Sequence, residues 1–340
     1  MEVVELEPPV PGPGEVLLDM KAAGLCGSDL HMHYRRTAAE RTGVIFGLQT
    51  DPSIVVSHEG AGVVAQVGPG GGHLKVGDRV SFHHMGGCGW CEQCRMDWDI
   101  NCEQKWGTYG LDRPGAMEDQ MVVRARDCVL VPPEVTMPEA AYYSCGAGTG
   151  YQALRRGDFR AGDIVVVVGL GPVGIAAAFF ATQAGGVVVG VDPDEERRQF
   201  ALDRGAAVAA CEAEAAAVQE HLRGRTDRRG ADVVVESSGA AGGRNLALDV
   251  AGLFGRVVCV GFNDAQTTID LERQIIQKQV DVRGAWMFRR GELQAMLDAV
   301  ARQRLSIEPL IGSRMDIEHA GAAWAEFDRG SLGKSVIEWP

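Results

Sequence analysis

The chain has 340 residues, of which 46% are apolar and 23% charged, and its formal net charge is −13. This length is about twice that of a usual domain, so we expect two domains with substantial cores. The composition and the mean hydropathy of −0.05 exclude a disordered, coiled-coil or membrane protein. The negative charge repels phosphate backbones, which argues against a nucleic-acid partner.

The first residues lack the basic segment and apolar run of a secretory signal, and the longest apolar stretch, Ile164–Val168, is far too short to span a bilayer. We therefore expect a cytoplasmic protein that has no membrane partner. Nine cysteines stay reduced in that compartment, so closely spaced ones indicate metal ligation or catalysis before disulfides.

The chain changes its pattern near residue 146. Residues 1–140 carry short alternating apolar runs separated by Gly and Pro, which predicts an irregular β domain. From about Gly146 to Trp286 apolar segments alternate with helical stretches, which predicts a doubly wound parallel sheet. The segments interpreted as its strands are Ile164–Val168, Val187–Val191, Asp232–Glu236, Leu246–Val250 and Val257–Gly261. Ala206–Ala217 and Gly291–Gln303 are interpreted as helices, and the C-terminal residues are expected to fold back onto the first domain.

A glycine-rich turn joins the first of these strands to a helix. It runs Gly169, Leu, Gly171, Pro172, Val173, Gly174. In such a turn the first glycine permits the bend, the second lets the backbone approach a pyrophosphate, and the third allows close helix packing. The helix N-terminus adds free N–H groups for the phosphates. Since strand, turn and helix follow in order, the turn predicts a dinucleotide site.

An acidic residue, Asp192, ends the next strand. It can accept hydrogen bonds from the adenosine ribose hydroxyls, and with the acidic residues behind it would repel a ribose 2′-phosphate. We therefore predict NAD rather than NADP. Arg197 or Arg198 would weaken this prediction by accepting a phosphate.

Four cysteines fall within one loop, at Cys88, Cys91, Cys94 and Cys102. Four thiolates complete a tetrahedral zinc shell and leave no position for substrate, so the spacing predicts a structural zinc site. An iron–sulfur cluster is the alternative, which a colourless protein would exclude.

A second group of candidate ligands is spread along the chain. Cys26, His58 and Cys145 would form a site with two sulfurs and one nitrogen, whose fourth position stays open for water or an alcohol oxygen, as in a catalytic zinc site. Spacing alone does not group these three residues. A lone buried cysteine is more often a small apolar side chain, which is how we interpret Cys128, Cys211 and Cys259.

Six motifs of this sequence, taken in chain order, resemble those of the zinc-dependent medium-chain alcohol dehydrogenases. The resemblance extends over nearly the whole chain. The matches are Cys-Gly-Ser-Asp-x-His at Cys26–His31, His-Glu-x2-Gly-x5-Gly at His58–Gly68, Val-Gly-Asp-Arg-Val at Val76–Val80, the four-cysteine loop, the Cys145 segment and the glycine turn. The resemblance implies an α/β protein with a GroES-like β-barrel catalytic domain (1–146 and 287–340) and a doubly wound Rossmann domain that binds NAD (147–286).

The resemblance also assigns roles near the catalytic zinc. It implies that Cys26, His58 and Cys145 are the ligands and that Glu59 is an occasional or exchange ligand. Asp29 would bond the far nitrogen of His58, which fixes the tautomer of the ring and raises its basicity.

Further roles concern the proton and the cofactor. Ser28 would take the proton from the bound alcohol and pass it through the nicotinamide ribose to His31, whereas the plain alternatives are a serine in a turn and an exposed histidine. Thr149 would lie by the nicotinamide ring and Arg197 by the adenosine ribose.

The sequence departs from the family in several places. Gly27 stands where many members carry a basic residue that contacts the pyrophosphate, so binding would depend on the glycine turn and on Lys334. Ser57 replaces the usual glycine before His-Glu. The stretch between Cys26 and His58 is long, and we predict that its extra residues, around Tyr34 to Gln49, border the substrate entrance.

We therefore predict a zinc-dependent oxidoreductase that transfers a hydride between a small-molecule alcohol and NAD, with an aldehyde or ketone in reverse. A polyol dehydrogenase of the sorbitol type is one alternative. Cys145 argues against it, because the sorbitol type generally has a glutamate in the corresponding segment. A non-catalytic zinc- and NAD-binding protein is the other. The resemblance favours a homodimer or homotetramer formed partly by pairing of Rossmann sheets. Four bulky residues are candidates for the substrate pocket or for plain core packing: His84, Trp106, Phe262 and Trp286.

Overall fold

The computed structural model describes residues 2–34, 43–45, 48–50, 53–104, 106–207, 209–222, 230–262 and 266–340. The side chains of residues 35–52 are not described, so the prediction that the segment around Tyr34 to Gln49 borders the substrate entrance stays a prediction. Among the helices that are described, none is both long enough and apolar enough to cross a membrane.

The strands, in chain order, are β1 (Glu15–Gly24), β2 (Gly43–Ile45), β3 (Leu48–Thr50), β4 (Glu59–Val67), β5 (Arg79–Phe82), β6 (Met85–Gly86), β7 (Gly107–Thr108), β8 (Gln120–Arg124), β9 (Cys128–Leu130), β10 (Ile164–Val168), β11 (Val187–Val191), β12 (Ala209–Cys211), β13 (Ala231–Glu236), β14 (Ala251–Cys259), β15 (Asp281–Gly284), β16 (Ile311–Met315) and β17 (Lys334–Glu338). The helices are α1 (Gly27–Asp29), α2 (Glu92–Arg95), α3 (Met137–Tyr143), α4 (Gly146–Arg156), α5 (Pro172–Gln183), α6 (Glu195–Asp203), α7 (Ala215–Leu222), α8 (Ala241–Val250), α9 (Arg290–Gln303) and α10 (Ala320–Gly330). A π-helical turn, Leu30–Tyr34, continues α1.

The chain divides into two compact units, Met1–Gly148 with Phe288–Pro340, and Thr149–Met287. The first unit contains a sheet in the order β16-β17-β1-β4-β5-β9, in which β8 also pairs with β1. β1 is central because it pairs with β4, β8 and β17 and buries most of its side chains. Trp324 of α10 is fully buried in the core of this unit, so the C-terminal residues pack on the same sheet as β1.

The second unit is a six-stranded parallel sheet in the order β12-β11-β10-β13-β14-β15. This is the strand order of a doubly wound dinucleotide-binding sheet. β10 is central, and all five of its residues are buried because helices cover both faces of such a sheet. The predicted α/β fold class is confirmed.

Two predicted elements of this unit are wrong. Leu246–Val250 belongs to α8, where Leu246, Ala247, Leu248 and Val250 are buried, and the strand β14 begins only at Ala251. A short apolar run does not distinguish a buried strand from the buried face of a helix. The alanine-rich stretch contains the strand β12, since pairing with β11 outweighs the helix propensity of alanine there.

Candidate active site and cofactor site

The three predicted ligands of the catalytic zinc converge in the first unit. Cys26 precedes α1, His58 precedes β4, and Cys145 lies between α3 and α4. One ligand atom each from Cys26, His58, Glu59 and Cys145 lies within 4.8 Å of the others. His58, Glu59 and Cys145 are buried and Cys26 is partly exposed, so the fold assembles two thiols, an imidazole and a carboxylate in one place.

A buried carboxylate orients the histidine of this cluster. Asp29 Oδ1 lies 3.0 Å from His58 Nδ1, and the other ring nitrogen, Nε2, lies 3.4 Å from Cys145 Sγ. Burial alone would lower the pKa of His58, but the charges of Asp29 and Cys26 outweigh burial and hold this pKa well above its usual range. Asp29 therefore leaves Nε2 as the ring nitrogen that faces the cluster and makes the ring more basic.

The thiol of Cys26 is the more acidic of the two. A hydrogen bond from Cys145 lowers the pKa of Cys26 well below its usual value, and the charge of His58 acts in the same direction. The same hydrogen bond, together with burial, raises the pKa of Cys145. The two thiols therefore share one proton. A bound cation would displace this proton, because a metal ligates the thiolate form of cysteine.

Ser57 adopts the backbone conformation that the family's usual glycine would favour. Its φ is +73°, in the left-handed region. Its side chain donates a hydrogen bond to Gly24 O at 2.8 Å, and a Cβ on Gly110 or Gly115 would come within 2.5 Å of the Ser57 backbone. Ser57 thus turns the chain so that His58 enters the cluster.

Lys334 pairs with Glu59 and is wholly buried, so the expectation that Lys334 contacts a pyrophosphate is wrong. Its Nζ forms an ion pair with Glu59 Oε2 and donates to Leu25 O at 2.7 Å. Burial raises the pKa of Glu59 to about 7, although the charge of Lys334 opposes that rise. A Cβ on Gly24 would lie 2.2 Å from Glu59 Oε2, so the glycine makes room for this pair.

The donor set fits zinc. Thiolate, imidazole and carboxylate are the ligands that Zn²⁺ takes in proteins. Within the described part of the chain, Glu59 Oε1 is buried and has no hydrogen-bond partner, so a cation in the cluster would satisfy it.

The four cysteines of the predicted structural site are also gathered. The sulfurs of Cys88, Cys91, Cys94 and Cys102 lie within 4.8 Å of one another. Burial opposes ionisation there, but hydrogen bonds from the backbone N–H groups of Cys88 and Gln104 lower the pKa of Cys102 to about 6. Among the described residues, this group contains four thiols and neither a carboxylate nor a nitrogen ligand, which fits a closed zinc shell.

Salt bridges tie this loop to the rest of the first unit. Asp99 is buried at the centre of the loop, and its carboxylate pairs with Arg126 at 3.1 Å and with Arg290 at 3.5 Å. Asp97 also accepts from Arg290, at 2.9 Å, and from the backbone of Gly291 at the start of α9. These contacts were not predicted from the sequence, since nothing in the spacing of the cysteines marks the acids between them.

Ser28 and His31, the two predicted relay residues, lie three positions apart in the helical stretch 27–34, and both are exposed. Thr149 is buried in α4, where its Oγ1 lies 3.5 Å from Met287 Sδ.

The glycine turn in the second unit has the conformation its sequence predicts. Gly169 has φ +92°, and a Cβ there would lie 2.9 Å from Ser238 N. A Cβ on Gly174 would lie 1.8 Å from Gly169 O, so this glycine lets α5 approach the turn. A Cβ on Gly171 would meet nothing within 4 Å, which leaves its backbone accessible. Pro172 and Val173 begin α5.

Asp192 is buried at the end of β11 and is held by backbone N–H groups. Its Oδ2 accepts from Leu170 N at 2.8 Å and its Oδ1 from Asp194 N at 2.9 Å. Arg197 approaches Asp192 to 3.9 Å, and Arg198 donates to backbone carbonyl oxygens. Each carboxylate oxygen keeps a second lone pair for a ligand.

The four candidate pocket residues lie in different surroundings. Phe262 and Trp286 line a cavity of about 440 Å³ in the second unit. Trp106 packs between Arg113 and Arg124 in the first unit, with guanidinium carbons 4.7 and 3.5 Å from its ring centroid.

His84 packs on the zinc-ligand candidate His58, with ring centroids 4.5 Å apart. Of the four candidates, His84 is the one that contacts a residue of this cluster.

Residues 12–133 match the alcohol dehydrogenase GroES-like domain, and residues 172–302 match the zinc-binding dehydrogenase domain. The chain belongs to the zinc-dependent medium-chain alcohol dehydrogenase family. The members of this family are oxidoreductases that act on CH–OH groups, so the predictions of the family and of the enzyme class are confirmed.

Relatives and solved structures match over the full length. An uncharacterised zinc-type alcohol dehydrogenase-like protein of Escherichia coli is 32% identical, over 100% of this chain and 96% of that protein. A 2-dehydro-3-deoxy-L-galactonate 5-dehydrogenase of Pseudoalteromonas atlantica is 30% identical, over 99% and 95%. The structure of the alcohol dehydrogenase TADH from Thermus sp. ATN1 superimposes with a TM-score of 0.86 at 28% identity, over 98% of this chain and 95% of that one.

Proposed function

We propose that this medium-chain dehydrogenase oxidises a small alcohol with NAD, using one catalytic zinc, and that it carries a second, structural zinc. The observation that carries the proposal is the convergence of Cys26, His58 and Cys145 on one buried point beside Glu59. These residues would hold the catalytic zinc, and the four cysteines Cys88, Cys91, Cys94 and Cys102 would hold the structural one.

The bound zinc supplies a Lewis acid that polarises the substrate oxygen, and NAD accepts the hydride. Asp29 keeps the His58 ring in the tautomer that ligation requires. Ser28 Oγ would take the hydroxyl proton of the alcohol while it gives up its own proton, and His31, three residues further along the same exposed stretch, would release a proton to solvent.

Several residues of the second unit would bind the cofactor. Gly169, Gly171, Pro172, Val173 and Gly174 form the turn and helix start that accept a pyrophosphate. Thr149 would contact the nicotinamide.

The residues that would surround the adenosine ribose favour NAD over NADP. Asp192 offers its free lone pairs to the ribose hydroxyls. Arg198 is engaged by backbone oxygens and Arg197 lies beside two carboxylates, so neither is set apart for a 2′-phosphate.

The experiment is NADH formation by purified, zinc-loaded protein on a panel of primary, secondary, aromatic and polyhydroxylated alcohols. Cys145→Ala should abolish turnover and keep NAD binding, whereas Cys128→Ala, which removes a buried thiol outside the cluster, should keep both. Turnover that survives the loss of Cys145 would refute the role of the cluster. The absence of turnover on every alcohol would favour the non-catalytic alternative.

A polyol dehydrogenase is the second candidate. The relative from Pseudoalteromonas atlantica is named for a sugar-acid substrate, which favours a polyhydroxylated alcohol. Cys145 argues against the sorbitol type. Polyols in the panel decide between the two.

We also propose a homodimer or homotetramer in the cytoplasm. β15 is an edge strand of its sheet, and Val282 on it is 49% exposed, which suits pairing with a second copy. Light scattering that gives the mass of a single chain would refute the oligomer.

A further inference from the structure

We infer that Ser237 is a positioning residue for the cofactor, because its hydroxyl fixes the glycine turn in the conformation that accepts a pyrophosphate. The inference rests on the proposed function, since it takes NAD as the ligand of this turn. It adds a residue outside the turn on which the affinity for the diphosphate part of the cofactor depends.

The first observation is the place of this hydroxyl. Ser237 directly follows β13, the strand that pairs with β10. Its Oγ donates to Gly169 O at 2.8 Å and lies 3.1 Å from Val168 O, to which the backbone N–H of Ser237 donates at 2.9 Å. A Cβ on Gly174 would lie 2.5 Å from the same Oγ. One side chain therefore contacts both the first and the last glycine of the turn.

The second observation is that one peptide group of the turn is bonded at both ends. The carbonyl oxygen of Gly169 and the N–H of Leu170 belong to the same planar unit. Ser237 Oγ donates to the oxygen, and the N–H donates to Asp192 Oδ2 at 2.8 Å. Gly169 has φ +92°, and a glycine keeps one conformation only when its neighbours fix it. The two bonds therefore fix the plane through which the chain enters α5.

The support behind Ser237 is rigid. Glu236 is fully buried, and its Oε1 accepts from Ser238 N at 2.9 Å, from Ser238 Oγ at 2.6 Å and from Gly239 N at 2.9 Å. A Cβ on Gly261, which follows β14, would lie 2.2 Å from Gly239 N, so the turns after β13 and β14 pack backbone to backbone. Buried contacts thus hold the hydroxyl of Ser237 against the glycine turn.

The pyrophosphate depends on donors of the main chain. Pro172 at the start of α5 has no N–H, and Lys334 is committed to Glu59. The backbone N–H groups that follow at the helix start remain, beside the open backbone of Gly171. Such donors bind well when they are oriented before the ligand arrives, because the apparent affinity falls with the fraction of molecules in the competent conformation. Loss of the Ser237 hydroxyl lowers that fraction.

The test measures binding to the zinc-loaded protein: the Kd of NADH from its fluorescence, and those of ADP and adenosine by competition with NADH. Ser237→Ala should weaken NADH and ADP about three- to tenfold, the worth of one buried hydrogen bond. Adenosine has no phosphate, and Asp192 keeps its bond from Asp194 N, so its Kd should stay unchanged.

Ser81→Ala is the matched control. Ser81 Oγ also faces two carbonyl oxygens, those of Gly60 at 2.9 Å and Ala140 at 3.2 Å, but it lies in the first unit. This variant removes a comparable bond from the fold and should leave all three affinities as in the parent.

A second readout reports on the turn without any ligand. Hydrogen exchange of the Leu170 amide should be faster in Ser237→Ala than in the parent and in Ser81→Ala, because one end of its peptide group is released. Unchanged ADP affinity, an equal loss for ADP and adenosine, or unchanged exchange at Leu170 would overturn the inference while the proposed function stands. A parent that does not bind NADH would refute the proposed cofactor, and the inference with it.

Discussion

The carboxylate behind the proposed zinc ligand is the most direct point at which to test the site. Asp29→Asn keeps the shape and an oxygen acceptor for His58 Nδ1 but removes the negative charge. Both partners are buried, Asp29 fully and His58 to 98%, so solvent does not screen their interaction as it does in exposed pairs. The substitution therefore isolates the charge.

The expected effect is a loss of zinc affinity at one of two sites. Removing the carboxylate partner of a metal-ligating histidine typically costs about 10- to 100-fold in metal affinity, or about 1.4 to 2.7 kcal/mol. The loss should depend on pH. Asp29 holds the pKa of His58 well above its usual range, so at low pH zinc must displace a proton from His58 in the parent. In Asp29→Asn the pKa of His58 is lower, so this competition weakens zinc binding less. The difference in affinity should thus widen as the pH rises.

The assay is competition for zinc with a chelating dye, run at several pH values on the parent and on Asp29→Asn. The four-cysteine loop provides an internal reference, because its affinity should not change. Asp19→Asn, which alters a partly exposed carboxylate bonded to Gln120, is the matched control. Equal zinc affinity of the parent and Asp29→Asn at high pH would refute the role given to Asp29.

Three further substitutions test separate parts of the chain. Burial and the charge of Asp119 raise the pKa of Glu118 from 4.5 to about 7, so the folded state holds a proton that the unfolded state releases, and stability falls as the pH rises from about 5 to about 7. Glu118→Gln should remove this fall and unfold at a higher temperature than the parent at pH 8 but not at pH 4; equal midpoints at pH 8 would contradict the shift. Cys94→Ser should lower the measured zinc content by one ion per chain and lower the thermal midpoint, and a full zinc content would argue against ligation in that loop. Lys334→Met should lower the free energy of unfolding in urea by about 3 to 5 kcal/mol, because it leaves the buried Glu59 without its cation. Adding Glu59→Gln should recover part of this loss. A double variant no more stable than Lys334→Met would show that the unpaired charge of Glu59 is not the cause.

The sequence predicted those elements whose pattern is set locally. Ile164–Val168 and Val187–Val191 are strands with the predicted bounds, because a parallel strand covered on both faces is apolar at every position. Leu246–Val250 was misassigned because an apolar run of that length also fits the buried side of a helix. Only the pairing of β13 with β14, which is a long-range contact, decides between the two.

The two groups of metal ligands differ in the same way. The four cysteines from Cys88 to Cys102 lie in one loop, so their spacing alone predicts that they meet. Cys26, His58 and Cys145 come from three elements that meet only in the folded sheet, and they could be grouped only through the family resemblance. The contact predicted for Lys334 was wrong for the same reason, since its partner Glu59 lies 275 residues away in the sequence.

Ser57 shows how the fold offsets a local cost that the sequence reveals. A residue with a Cβ in the left-handed region costs roughly 1 to 2 kcal/mol. Serine recovers part of this cost, because its hydroxyl donates to Gly24 O at 2.8 Å and so fixes the end of β1 against the turn before β4. A buried hydrogen bond of this kind is worth about 0.5 to 1.5 kcal/mol. Because Gly24 and Cys26 are two residues apart, the bond that compensates for the strain also holds the first ligand close to His58, and a glycine at position 57 would relieve the strain but lose that link.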